Sequence, residues 1–223
     1  MFLLQSNLQR EILFKKLYFL FAIVYSIASV ALFLYYLPSG DSYHYLLSLA
    51  TIVLFPGLEL FYRLTGLKRS YPLDFFFALF VFMAWMLGTA CQFYVWFPYF
   101  DKIMHTLSGC LTMLLALPLF YALKSSHKVE KGDCKLAIIF CILTALAVAG
   151  VWEMCEYGIH FVTGVDVQKV QTTGINDTMQ DMLVCTAGAL LMLPMFLRYY
   201  RTGHGGALLG ACDAFIQKNF PQT

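Results

Sequence analysis

Long apolar runs alternate with short polar punctuation along this chain. Six runs approach or exceed the roughly 20 residues that cross a bilayer, at about 17–37, 43–63, 73–96, 102–123, 136–160 and 178–200. Pro38-Ser-Gly-Asp41, Gly66-Leu-Lys-Arg-Ser70, Trp96-Phe-Pro-Tyr99, the Lys/Glu/Gly stretch 124–135 and the loop 161–176 separate them. The pattern predicts an all-α membrane protein with six transmembrane helices over 17–200. Residues 1–16 mix apolar and basic positions and suit a cytoplasmic interfacial helix, and 201–223 form a cytoplasmic C-terminal tail.

The basic residues orient the spans. With a cytoplasmic N-terminus, 13 of the 15 lysines and arginines fall on inner segments and only Lys102 and Lys169 fall outside, which places both termini inside. The composition agrees: 60% of the 223 residues are hydrophobic and 13% charged, against about 25% charged in soluble domains. A net charge of +2 with scattered basic residues argues against nucleic-acid binding and leaves membrane lipids as the expected surroundings. Seven cysteines show no C-x-x-C spacing and read as small apolar packing residues, although Cys91 and Cys155 fall on the outer side, where a pair could oxidise.

Against this background, Glu153, Glu156 and His160 stand out. Spacings of three and four residues hold them within about 40–60° of one another around a helix. A charge in the hydrocarbon region costs at least about 2.5–3.5 kcal/mol on insertion scales, so such a stripe calls for a proton, a cation or a hydrogen-bond network. In the six-span topology Asp101-Lys102-Ile-Met-His105 and Asn176-Asp177-Thr-Met-Gln-Asp181 open spans at the same outer face. His105, Glu156 and Asp181 then lie roughly 6 Å below the boundary, with Glu153 a turn deeper. Beneath them Ser108, Gly109, Thr112, Ala145, Ala149, Cys185 and Gly188 offer small side chains for close helix approach.

Aligning 101–123 with 177–199 matches seven positions and sets Asp101 against Asp177 and His105 against Asp181. A duplicated hairpin and the ordinary convergence of Leu-rich spans both account for it.

Carboxylates and imidazoles converging from neighbouring helices resemble the metal sites of helical bundles. His105, Glu153, Glu156 and Asp181 are the strongest candidates as ligands or as acid and base, with Asp177 a further ligand and with Lys102, Asp101 and His160 contacting substrate. A divalent cation is the implied cofactor. Simpler roles exist for some of them: Asp177 and Gln180 have the form of a capping box, Asp101 stands where a cap would, Lys102 could snorkel to head groups, and His160 could be solvated. Glu59 and Arg63 form a favourable intrahelical pair, and Asp74 reads as a cap or first-turn acid.

The series Asp101-Lys-x-x-His105, Trp152-Glu-x-x-Glu156-Tyr and Asn176-Asp-Thr-x-x-Asp181 resembles the YjdF-like family of bacterial inner-membrane proteins. It is more distantly similar to VanZ-like proteins, whose last span often carries an asparagine where this chain has Cys185. The resemblance implies a multi-pass protein of the bacterial inner membrane and supplies no reaction. The residues leave open a metal-assisted or carboxylate-driven reaction on a lipid or lipid-linked envelope substrate, cation- or proton-coupled transport, and a non-catalytic assembly role.

Overall fold

The computed structural model describes the backbone of residues 2–220 and the side chains of 8–41 and 43–220. Met1, the side chains of 2–7 and residues 221–223, parts of the expected N-terminal helix and C-terminal tail, lie outside the described residues. Among the described residues every regular element is helical, and six helical segments are long and apolar enough to cross a membrane. The chain divides into two compact units, one reaching Pro98 and including a stretch from Gln217, the other running from Tyr99 to Ile216.

In the first unit α1 (Phe2–Tyr36) is continuous, so no break separates the expected interfacial helix from the first span. Tyr18, Tyr25 and Ser29 recur at helical spacing and are buried, while many of the other apolar side chains of α1 are left exposed, as a lipid-facing helix requires. The second span is α2 (Ser42–Ala50) and α3 (Leu54–Thr65) joined by a tighter turn at Thr51–Val53. Pro56 explains the join, because it has no N–H to return to the preceding turn. Ser29 and Thr51 share a buried 2.8 Å hydrogen bond at that level.

The third span, α4 (Tyr71–Val81), widens into a π-helical stretch and ends at Ala90. This is shorter than the apolar run 73–96 suggested. Gln92 adopts a left-handed backbone (φ 60°) that stops the helix, and Phe93–Trp96 forms a separate short helix, α5.

The second unit contains α6 (Phe100–Leu123), α7 (Cys134–Thr163), the short α8 (Val170–Thr173), α9 (Asn176–Leu191), α10 (Leu193–Thr202) and α11 (Leu208–Asn219) as far as Ile216. Pro194 breaks the sixth span into α9 and α10, since it cannot donate to the preceding turn. The tail beyond 201 is not loose: α11 buries Leu209, Cys212 and Phe215, and Asp213 accepts a hydrogen bond from Tyr199.

Side-chain size determines how this unit packs. On α7 the buried positions are Ala137, Cys141, Ala145, Ala149 and Glu153, one every four residues, so a stripe of small side chains ends in a carboxyl group. A Cβ on Gly109 would collide with the carbonyl of Cys185, and one on Gly188 with that of Thr106, so α6 and α9 touch backbone to backbone. The contacts progress from Lys102 with Asp177 and Asp181, through Gly109 with Cys185, to Cys110 with Gly188, which makes the two helices parallel, and Tyr121 with Tyr200 continues the course into α10. All seven cysteines are free.

Candidate functional site

The parallel course of α6 and α9 brings their first turns together, and antiparallel α7 ends beside them. Asp101, Lys102 and His105 on α6 therefore meet Asp177 and Asp181 on α9. Neither Asp101 nor Asp177 is the cap of its helix: the residues at the cap positions, Tyr99 and Ile175, make no side-chain capping bond.

Lys102 does not reach outward to head groups. Its Nζ donates to Asp177 Oδ1 at 2.6 Å and to both oxygens of Asp181 at 2.8 Å. Lys169, from the loop between α7 and α8, donates to Asp101 Oδ2 at 2.9 Å and lies 3.3 Å from Asp177 Oδ2. Two ammonium groups thus balance carboxylates that could not otherwise ionise together at this spacing. Lys169 lies outside the spans. Burial works against its charge, but the hydrogen bond to Asp101 and the nearby Asp177 outweigh that and raise its pKa above the ordinary 10.5.

His105 is 8% exposed and Asp181 2%. The Nε2 of His105 lies 3.6 Å from Asp101 Oδ1 and 3.6 Å from Asp181 Oδ1, beyond hydrogen-bond range of both. Asp101, His105 and Asp181 offer ligand atoms within 4.8 Å of one another. Two ligands at about 2.0–2.6 Å from one ion cannot be more than about 4–5 Å apart, so this triad fits a shared cation. Asp101 divides its oxygens, Oδ1 toward the imidazole and Oδ2 toward Lys169, whereas Asp181 Oδ1 faces the imidazole and also accepts from Lys102.

The remaining candidates are engaged separately. Glu153 is buried, and its Oε2 and backbone carbonyl accept hydrogen bonds of 3.1 and 3.0 Å from the Gln168 amide. Its Oε1 is buried without a partner. Glu156 is half-buried, accepts from the Trp152 indole at 2.8 Å, and lies within electrostatic reach of Glu153, Asp101 and Asp181. His160 pairs through Nδ1 with the carbonyl of Val165 at 3.1 Å. Of the residues expected to hold a cation, the structure brings His105 and Asp181 to ligand spacing, joined by Asp101 in place of Glu153, Glu156 and Asp177.

Two residues of this site, Gln168 and Lys169, escape a reading of the sequence. Both sit in a polar loop, and the only signal was that Lys169 and Lys102 were the exceptions to an otherwise inner distribution of basic residues.

No curated protein and no solved structure is significantly similar to the chain. The family described as "Predicted membrane protein (DUF2238)" matches residues 18–202, and this is the YjdF-like family whose motifs run through α6, α7 and α9. The chain therefore belongs to the DUF2238 family of membrane proteins.

Proposed function

We propose that Asp101, His105 and Asp181 bind one divalent cation at the outer face of a bacterial inner membrane, and that the cation serves chemistry on a lipid or lipid-linked envelope substrate. The observation that carries this reading is His105: a buried imidazole equidistant from two carboxylate oxygens, too far to bond either and correctly spaced to share an ion with both.

The location follows from charge. At the end of the second unit away from the site lie Lys124, Lys128, Lys131, Lys135, Arg198 and Arg201, whereas the site end carries Lys102 and Lys169, both consumed by ion pairs. The positive-inside rule then turns the site outward, at the depth of lipid head groups. Buried Met113, Leu114, Leu117 and Ala145 fill the bundle beneath it, which favours a one-sided pocket over an ion conduit. A bound cation would polarise a phosphoryl or ester oxygen or acidify a water, and the unpartnered Glu153 Oε1 is available to accept a proton from a substrate or water.

The test is titration of Mn²⁺ into purified protein in nanodiscs. One ion per chain is expected, with binding weakened by His105→Gln and Asp181→Asn and untouched by Glu59→Gln. Full binding by both site variants would refute the proposal.

A further inference from the structure

The lysines do more than neutralise carboxylates, and their placement indicates what else the site takes. Side-chain exposure grades from 3% at Asp181 and 9% at His105, through 11% at Asp177 and 21% at Lys102, to 44% at Lys169. Asp181 and His105 are therefore the most deeply buried, Asp101 at 18% lies near the level of Lys102, and Lys169 is the most exposed. Asp101 turns Oδ1 toward His105 and Oδ2 toward Lys169, while Asp181 gives both oxygens to Lys102 and faces His105 with Oδ1, so a cation and the ammonium groups would compete for the same two carboxylates.

Counting these five charged side chains, three aspartates and two lysines leave one negative charge. A divalent ion on the triad reverses that to one positive charge, and it withdraws carboxylate density from Lys102 and Lys169. Glu153 and Glu156, hydrogen-bonded to Gln168 and Trp152, lie outside this count, and the change of two charge units on loading is the same with or without them.

We infer that Lys102 and Lys169 form an anion clamp that takes the phosphoryl group of its ligand once the triad is loaded with a cation. The clamp rests on the cation reading above and adds to it a ligand class and an order of binding. Lys169 is suited to the role because it projects from a loop and has one strong bond to give up, the 2.9 Å contact with Asp101 Oδ2. Lys102 keeps Asp177 in either state and supplies a fixed second donor. By linkage, the anion must also tighten the cation by the same factor.

The experiment is calorimetric titration of Mn²⁺ into the full chain in phosphatidylcholine nanodiscs, alone, with inorganic phosphate, and in discs containing phosphatidate. The expected result is a rise in Mn²⁺ affinity of roughly tenfold, within the usual 5–150-fold range of coupling between sites. A rise with phosphate in solution marks a clamp open to free phosphate, and a rise confined to phosphatidate discs marks a clamp for lipid head groups. Lys169→Gln should bind Mn²⁺ without the enhancement, and Lys169→Arg should retain it. Enhancement that persists in Lys169→Gln is a bulk surface effect and overturns the clamp. Mn²⁺ binding unaffected by either phosphate source overturns the clamp and leaves the cation site standing, whereas absence of Mn²⁺ binding removes both.

Discussion

Gly109 of α6 lies against the backbone carbonyl of Cys185 of α9, the residue opposite it when 101–123 is aligned with 177–199. The same alignment pairs His105 with Asp181 and Asp101 with Asp177, so aligned residues are neighbours across two parallel helices. The depth of the site depends on this contact, because the helices can slide or separate only by losing it.

Gly109→Ala and Gly188→Ala should each therefore destabilise the protein, by about 1–3 kcal/mol as overpacking usually does, or more because the obstructing atoms are backbone. Gly158→Ala on α7 is the control, as its added Cβ meets nothing within 4 Å. Thermal unfolding in detergent should show the first two lowered and the third unchanged or raised.

Removing Lys102 should cost more than its charge suggests. Lys102→Met leaves Asp181, 2% exposed, with its main donor gone, a loss of about 3–5 kcal/mol by analogy with broken buried pairs. Lys102→Met combined with Asp181→Leu should recover a substantial part of the stability, because no buried charge is then left alone. A double variant no better than the single one would contradict the pairing.

Comparable logic applies in the first unit, where Asp74 is 3% exposed, accepts from Tyr62 at 2.6 Å and sits 2.8 Å from Arg69 Nε. The rings of Tyr18, Tyr62 and Tyr71 lie 5.1–5.7 Å from the same guanidinium. Arg69→Gln should destabilise by about 3–5 kcal/mol, whereas Arg63→Gln, which removes only the exposed partner of Glu59, should cost about 1 kcal/mol or less. Thermal melts of the two variants side by side check the contrast.

The loop carrying Lys169 should show little pH dependence across the neutral range. A raised folded-state pKa gives a contribution that is complete below the ordinary 10.5 and is lost as pH rises through the higher folded value. Hydrogen exchange of residues 164–175, corrected for intrinsic rates, should be the same at about pH 7 and pH 9, while Lys169→Gln should raise it at both. Loosening of the parent loop between those values would contradict a loop held by the ion pairs of Lys169 with Asp101 and Asp177.

The six spans were legible because hydrophobic length records the bilayer directly. Topology and helical rise put His105, Glu156 and Asp181 at one expected depth, and of these the structure brings His105 and Asp181 to ligand spacing. The partners were harder to read, because sequence spacing along one helix says nothing about a loop that returns over it. Glu153, Glu156 and His160 share a stripe in projection, yet only Glu153 continues the buried four-residue series, since the bundle surrounds a narrower arc than the stripe spans. Lys102 could be read as snorkelling until Asp177 and Asp181 appeared on the parallel neighbour. The end of the third span at Ala90 depended on one left-handed residue, Gln92, that no hydropathy pattern marks.

The central claim is that His105 shares one ion with Asp101 and Asp181, and pulsed electron paramagnetic resonance of the Mn²⁺-loaded protein addresses it most directly. The account predicts modulation from a single directly coordinated imidazole nitrogen, abolished by His105→Gln and retained in His160→Gln. Bound Mn²⁺ with no nitrogen in its coordination sphere, or with a nitrogen signal unchanged by His105→Gln, would contradict it.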